Sequence, residues 1–263
     1  MNIISFPKLN LTFNINPVAF SIGQKPIYWY AIIILTGFLL AVFFCAKSAK
    51  KRGMAEDNIL DIGIYGLLFG LICARIYYVI FDWDTFRDNL LDIFKVWEGG
   101  IAIYGGLIGA VLTAFVYCKI KKMNVLETFD ICAPGLFIGQ IIGRFGNFVN
   151  AEVYGGETDF FLGMSINGAN PVHPLFLYEA LWNLVGLIIM LLLRDKKKAH
   201  GQVILGYFFW YSLGRLFLEG MRQPEYILYL IDGVLGISQL VSFVLVIVSA
   251  VLFVIVTRKA DTK

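Results

Sequence analysis

Seven long apolar stretches run through this chain of 263 residues, each close to the length of a membrane-crossing helix. A helix needs about 20 mostly apolar residues to cross the hydrocarbon core of a bilayer, which is about 30 Å thick. The stretches cover residues 28–46, 59–81, 101–116, 129–146, 175–193, 203–218 and 237–256. Because they are continuous, and are not alternating segments of about ten residues, they predict helices and exclude an outer-membrane barrel.

The amino-acid composition agrees with a membrane location. Hydrophobic residues make up 59% of the chain and charged residues 16%, against about 45–50% and about 25% in ordinary soluble domains. So few charges cannot cover so much apolar surface, which excludes a disordered chain, a nucleic-acid-binding protein and a soluble enzyme. We predict one all-α integral membrane domain over residues 1–263. It is a bundle of seven transmembrane helices with a small extracytoplasmic loop or cap at residues 147–173.

Basic residues gather in four clusters, which follow the first, third, fifth and seventh apolar stretches. The clusters lie at residues 47–52, 119–122, 194–198 and 258–263. Loops rich in Lys and Arg stay on the cytoplasmic side of a membrane. The pattern therefore predicts a multi-pass protein with its N-terminus outside and its C-terminus in the cytoplasm.

Three arginines, Arg75, Arg144 and Arg215, lie within or at the edge of an apolar stretch. A guanidinium at membrane depth costs at least about 2.5–3.5 kcal/mol, so such residues usually face a polar interior and serve function. The alternative is an arginine that extends to the interface or bonds a carbonyl of a packed helix. Both interpretations stay open for Arg75, whereas polar neighbours favour a functional role for Arg144 and Arg215.

Arg144 is followed by several polar residues at the outer end of the fourth stretch. Asn147 shares its helical face because the two are three positions apart, and Asn150 and Glu152 come next. So many polar groups are hard to explain as a lipid-facing surface. They predict a binding site, with a self-capped polar helix end as the alternative.

The sixth stretch carries Tyr211, Arg215 and Glu219 at a spacing of four residues, which places them on one helical face. An ion pair between Arg215 and Glu219 that only locks packing is the alternative. Under the predicted topology the whole polar set lies in the outer half of the membrane, including Tyr30, Tyr104 and His173. Two guanidinium groups suit a phosphate, whose oxygens they can bind bidentately. The pattern favours an enzyme acting on a lipid from the outer leaflet over a transporter or flippase of an anionic lipid or solute, which needs a path to both faces.

Residues 143–152 with Gly155 resemble the signature of the prolipoprotein diacylglyceryl transferase family. Four further motifs resemble that family in the same order along the chain. They are Trp29-Tyr30, residues 97–100 leading to Gly105-Gly106, His173-Pro174 before Tyr178-Glu179, and Gly214-Arg215 with Glu219 and Arg222-Gln223-Pro224. The resemblance covers nearly the whole chain.

This resemblance implies a transferase of the bacterial cytoplasmic membrane that carries out the first step of lipoprotein maturation. A diacylglyceryl group passes from phosphatidylglycerol to the lipobox cysteine of a prolipoprotein signal peptide, giving a thioether and releasing glycerol phosphate. No metal, organic cofactor or nucleic acid is implied.

The same chemistry assigns roles to the polar residues. Arg144 and Arg215 are expected to hold the phosphate and stabilise its developing charge, with Asn147 in support. Glu152 and Glu219 could orient the arginines or contact the glycerol headgroup. The remaining expected substrate contacts are Asn150, Tyr30, Tyr211 and His173.

The general base is an open point. Many family members carry a histidine where this chain has Tyr104, and a phenol of ordinary pKa about 10 is a poor base near pH 7. Either a Tyr104 of lowered pKa accepts the thiol proton, or the acceptor is Glu152, Glu219, His173 or water. Our hypothesis makes Tyr104 a positioning residue.

Two segments outside the apolar stretches also carry predictions. Residues 155–171 are polar and rich in glycine, and they suggest an outer loop or cap that guides the peptide. Residues 82–95 are predicted to form an amphipathic helix in the outer interface.

Overall fold

The computed structural model describes residues 1–231 and 235–261. Lys263 of the fourth basic cluster lies outside these residues. The chain divides into two compact units, of which the first comprises Met1–Ala41 and Phe129–Lys263 and the second Val42–Thr128.

Eight helices form over the described residues, and all of them except the short helix Trp83–Phe86 coincide with a long apolar stretch. They are α1 Trp29–Lys51, α2 Glu56–Phe81, α3 Trp83–Phe86, α4 Ile103–Ile120, α5 Val125–Asn150, α6 Leu175–Leu193, α7 Gln202–Glu219 and α8 Ile237–Asp261. The prediction of a helical integral membrane protein is confirmed.

Six of these helices are long and apolar enough to cross a membrane, counted over the residues that the structure describes. α7 is not among the six, although its 18 residues reach about 27 Å at 1.5 Å per residue. Arg215 and Glu219 lower its hydropathy, so the count of seven spans is approximate.

Short β-strands, which the apolar pattern did not predict, lie outside the helices of the first unit. β1 Asn2–Phe6 pairs antiparallel with both β2 Leu11–Ile15 and β5 Ser165–Ile166. The other strands form two hairpins, β3 Val18–Ile22 with β4 Lys25–Tyr28 and β6 Tyr229–Ile231 with β7 Leu235–Gly236.

A small hydrophobic core holds the β1–β2–β5 sheet to α6. Ile4 and Phe6 of the sheet pack with Met164, Val172 and Phe176, all of them buried. Burial of these side chains therefore fixes the segment that follows α5 on the N-terminal strands.

Two tryptophans pack α6 closely against α7. The indoles of Trp182 and Trp210 stack at 4.7 Å between centroids, and each donates its Nε1–H to the other's carbonyl at 3.0 and 2.9 Å. Gly186 and Gly214 make room, because a Cβ at either position would overlap one of the indoles. This close contact sets the spacing of the side chains near the end of α7.

In the second unit, residues 82–95 do not form the predicted amphipathic helix. After α3 the backbone continues as two 3₁₀ turns, Leu90–Phe94 and Val96–Glu98. The Arg75 guanidinium binds the Asp92 and Ile93 carbonyl oxygens near the end of residues 82–95, so these two are not available to a regular helix. Arg75 donates to Asp92 at 2.6 Å, Ile93 at 2.8 Å, Gly99 at 2.6 Å and Gly100 at 2.8 Å.

Candidate active site: arginines around a shared carboxylate

A buried carboxylate, Glu179 near the start of α6, lies at the centre of the candidate site in the first unit. Its Oε2 pairs with Nη2 of Arg144 from α5. Its Oε1 accepts a hydrogen bond from Nη2 of Arg222 at 3.0 Å and lies 3.6 Å from Nη1 of Arg215. One carboxylate thus joins three guanidinium groups that lie 35 to 43 positions away from it in sequence.

A second buried carboxylate completes the cluster. Glu219 Oε2 lies 2.9 Å from Nη2 of Arg215 and 3.4 Å from Nε of Arg222. Its side chain is 1% exposed, whereas those of Arg144 and Arg215 remain 18% and 16% exposed. The cluster therefore keeps its carboxylates inside, while parts of the Arg144 and Arg215 side chains remain accessible.

Asn147 connects this cluster to a third carboxylate. Its amide donates to Oε1 of Glu152 at 3.0 Å, and its Oδ1 accepts from Nη1 of Arg144 at 3.4 Å. The chain turns back after α5 through Ala151 and Val153, both at positive φ, a conformation costly for a β-branched residue such as Val153. This turn brings Glu152 back toward Asn147.

The loop after α5 is also hydrogen-bonded to the segment that follows α7. Gly156 N donates to the carbonyl of Met221 at 3.0 Å, and Gln223 N donates to that of Tyr154 at 3.4 Å. Gly155 is needed there because a Cβ would lie 2.7 Å from both His173 and the Met221 carbonyl. These contacts position Arg222 beside Glu179.

The predicted residues of α5 and α7 thus meet in one network, which contains Arg144, Asn147, Glu152, Arg215 and Glu219.

Two tyrosines lie beside this network. Tyr211 lines, with Arg215 and Glu179, a recess of about 10 Å³, which has room for about one water molecule. The Tyr30 ring packs against Gly146 of α5. Gly146 lies between Arg144 and Asn147 in sequence, but it faces a different side of the helix.

The remaining predicted site residues are Asn150 and His173 in the first unit and Tyr104 in the second. Asn150 is the last residue of α5, one helical turn beyond Asn147. The His173 ring lies 3.2 Å from the Tyr178 hydroxyl through Nδ1. Burial lowers the pKa of His173, so its imidazole is neutral at pH 7. Tyr104 belongs to the second unit, where it is 51% exposed near the start of α4.

Sequence reasoning assigned no site role to Glu179 or Arg222, although both lie in the motifs noted above. Glu179 carried a signal of its own, since a carboxylate inside an apolar stretch requires a cationic partner. Arg222 lies three residues beyond Glu219, and the sequence offered it only as part of the Arg222-Gln223-Pro224 motif.

Arg75 does not belong to this network. Its Nε and both terminal nitrogens donate to backbone carbonyls of the second unit, and its guanidinium lies 4.9 Å from the Phe86 ring. These contacts favour the structural interpretation of Arg75, in which its guanidinium bonds backbone carbonyls, over a role in a functional site.

Comparison with known proteins gives one family along nearly the whole chain. A sequence model of prolipoprotein diacylglyceryl transferases matches residues 17–255. The phosphatidylglycerol–prolipoprotein diacylglyceryl transferase of Listeria monocytogenes serotype 4a (strain HCC23) is 44% identical over 247 residues, which cover 89% of this chain and 87% of that protein. The protein of the same name from Lysinibacillus sphaericus (strain C3-41) is 41% identical over 266 residues and 96% of both chains. That from Bacillus velezensis is 39% identical over 251 residues, 91% of this chain and 92% of its own. This chain therefore belongs to the prolipoprotein diacylglyceryl transferase family.

Proposed function

We propose that this protein transfers the diacylglyceryl group of phosphatidylglycerol to the lipobox cysteine of a prolipoprotein. The names of the relatives support this reaction. The observation that carries it is the cluster of three guanidinium groups around Glu179 at the ends of α5 and α7.

In this reaction the cysteine sulfur attacks the glycerol carbon that is bonded to the phosphate oxygen. The sulfur–carbon bond forms while the carbon–oxygen bond breaks, and the electron pair leaves with glycerol phosphate. The thiol proton passes to a base. Negative charge on the leaving phosphate grows as the bond breaks, so fixed guanidinium groups stabilise the transition state more than the ground state.

Arg144 and Arg215 are the proposed phosphate ligands. Each retains solvent exposure, and each shares Glu179 with another arginine and so does not have a carboxylate to itself. An incoming phosphate gives each guanidinium group a further anion without removing the carboxylates that position it.

The neighbouring polar groups act as positioning residues or outer contacts. Asn147 is hydrogen-bonded to both Arg144 and Glu152 and so fixes their positions, and Glu219 orients Arg215. Tyr211 and Tyr30 contribute hydroxyl groups beside the headgroup, and Asn150 and His173 are proposed to contact the substrate farther out.

The candidates for the base that accepts the thiol proton are Tyr104, Glu152, His173 and water. Glu219 suits the role least because its side chain is 1% exposed and pairs with two guanidinium groups. A thiol would have no access to it.

The proposed orientation places the N-terminus outside, the C-terminus in the cytoplasm and the arginine cluster toward the outer leaflet. The arginines and the basic residues 194–198 lie at opposite ends of α7. From Gln202 at its start to Arg215, α7 rises about 20 Å. A membrane-impermeant thiol reagent tests this in a variant lacking the native cysteines. Asp159→Cys should be labelled in intact cells, and Lys196→Cys only after permeabilisation; the reverse pattern contradicts the orientation.

A reconstituted assay tests the reaction itself. Purified protein in vesicles containing phosphatidylglycerol is incubated with a lipobox peptide, and the mass of the peptide cysteine is measured. We expect a diacylglyceryl adduct and released glycerol phosphate, and none with phosphatidylcholine alone or with serine in place of the peptide cysteine. Lipid movement across the bilayer without an adduct would instead indicate transport.

A further inference from the structure

A second cavity, unrelated to the arginine cluster, opens in the first unit at the opposite end of α7. It encloses about 490 Å³ between α6, α7 and α8, which is within the range of about 300–1,000 Å³ for small-molecule pockets. The water-sized recess beside Arg215 is far smaller. The chain therefore offers its larger binding space away from the proposed chemistry.

The walls of this cavity are apolar. Ile189 and Leu193 of α6, Phe209 of α7 and Phe253 of α8 line it. Gly206 opens it further, since no heavy atom lies within 4 Å of where its Cβ would be. From Gln202 at the mouth to Trp210 the lining extends along α7 for about 12 Å. These dimensions and this lining suit part of an acyl chain.

The mouth of the cavity is basic. Four cations border it: Arg194, Lys196, Lys197 and Lys198. Lys197 pairs with buried Asp130 at 2.7 Å and Lys198 with Asp261 at 2.8 Å. Lys196 is exposed and has no ion-pair partner within residues 1–231 and 235–261, so its ammonium group is available to an anion.

Buried hydrogen bonds hold this basic loop in place. Asp130 accepts from the backbone N–H groups of Gly201, Val203 and Ile204 at 2.8–3.0 Å. Gln202 accepts from the backbone N–H of Lys198 at 2.6 Å and donates to Thr257 of α8 at 2.6 Å. A ligand at the mouth therefore does not have to order the loop, which lowers the entropic cost of binding.

We propose that this cavity holds a phospholipid with an anionic headgroup. The phosphate lies at the mouth beside Lys196, and one acyl chain enters between α6, α7 and α8. Basic pockets between membrane helices recognise anionic headgroups in this way. A polar solute would leave the apolar walls unmatched, and a zwitterionic lipid would leave the cation without its complement.

This site is distinct from that of the diacylglyceryl donor, because its mouth at Gln202 lies about 20 Å along α7 from Arg215. Under the proposed orientation the bound lipid belongs to the cytoplasmic leaflet. Its binding does not depend on the transfer reaction, so each proposal can fail alone.

Photolabelling tests the proposal directly. The full chain is placed in phosphatidylcholine nanodiscs with a trace of phosphatidate that carries a diazirine on one acyl chain, and the labelled peptides are mapped by mass spectrometry. We expect labelling of the end of α6 and the first half of α7, at least about fivefold above that by phosphatidylcholine with the same chain. Equal labelling by the two lipids overturns the proposal.

Two pairs of variants separate this cavity from a general surface effect. Gly206→Leu fills the cavity and should lower labelling there at least about fivefold. Gly66→Leu is its control, because Gly66 is also helical and open but lies in α2. Lys196→Gln should lower phosphatidate labelling about fivefold, whereas Lys51→Gln in another basic cluster should not.

Two results would contradict the proposal. One is labelling that persists in Gly206→Leu, and the other is an equal loss in Lys51→Gln and Lys196→Gln. Elution as a single species in size-exclusion chromatography checks that each variant is folded. If Gly206→Leu fails this check, the lysine pair decides the question.

Discussion

The two arginine sites of this protein use the same side chain in opposite ways. Arg75 donates to four backbone carbonyls of its own unit and contacts the Phe86 ring. Arg144 and Arg215 instead share the carboxylate of Glu179 with Arg222. The carbonyls that bind Arg75 belong to a folded loop, so a ligand cannot replace them. Guanidinium groups that share a carboxylate, in contrast, can bind a further anion. An arginine inside an apolar helix therefore does not by itself indicate a binding site. The groups that accept its hydrogen bonds show whether its role is structural or in binding.

Removing the shared carboxylate should have the largest effect. Glu179→Ala leaves Arg144, Arg215 and Arg222 without their common partner, and loss of one member of a buried ion pair costs about 3–5 kcal/mol. We expect a clear drop in Tm, measured by intrinsic fluorescence in detergent. Glu56→Gln is the control, because Glu56 pairs with the exposed Lys47 and Lys50 and such surface pairs contribute about 0–1 kcal/mol. Equal losses in the two variants would mean that Glu179 is not the centre of a buried network.

Truncating a proposed phosphate ligand should act on the reaction and leave the fold intact. In Arg144→Ala we expect a fall in turnover of about 10²–10³-fold, as for removal of a preorganised donor at a developing anion. Asn147→Ala should also abolish transfer, and both proteins should still insert into membranes. Arg87→Ala is the control, since Arg87 forms an exposed ion pair with Asp84. Full activity in Arg144→Ala would remove the phosphate role of Arg144.

Arg75 should give the reverse result, in which structure suffers more than chemistry. Arg75→Ala leaves four carbonyls of residues 92–100 without their donor, and lost buried hydrogen bonds of this kind cost about 1–3 kcal/mol. We expect faster amide hydrogen exchange in residues 90–100, measured by mass spectrometry, while exchange near Arg144 stays unchanged. Unaltered exchange in residues 90–100 would contradict the role of Arg75 in holding this segment.

The smallest effect is expected for Tyr104, the other candidate of the second unit. If Tyr104 only positions substrate, Tyr104→Phe removes one hydroxyl from a half-exposed ring and turnover should stay near normal. A loss as large as that in Arg144→Ala would make Tyr104 the base. Assays of Glu152→Gln and His173→Gln under the same conditions then distinguish the remaining acceptors.

The long helices were predictable because each apolar stretch is a local property of the chain. The strands were not predictable in this way, since β1 and its partners have two to five residues each. They are too short to stand out among stretches of membrane-spanning length. The predicted amphipathic helix at 82–95 is wrong for a non-local reason. Its Asp92 and Ile93 carbonyls bind Arg75, which precedes them by 17 and 18 positions.

Hydrophobicity and charge along the chain were enough to establish a helical membrane protein with arginines at membrane depth, because membrane insertion responds to residue type and spacing. Pairing inside the folded protein was not accessible in that way. Glu179 meets Arg144 and Arg222 across 35 and 43 positions, and the stacked indoles of Trp182 and Trp210 set that geometry. Such contacts depend on how helices pack in three dimensions, and packing is specified by many side chains together and not by any one motif.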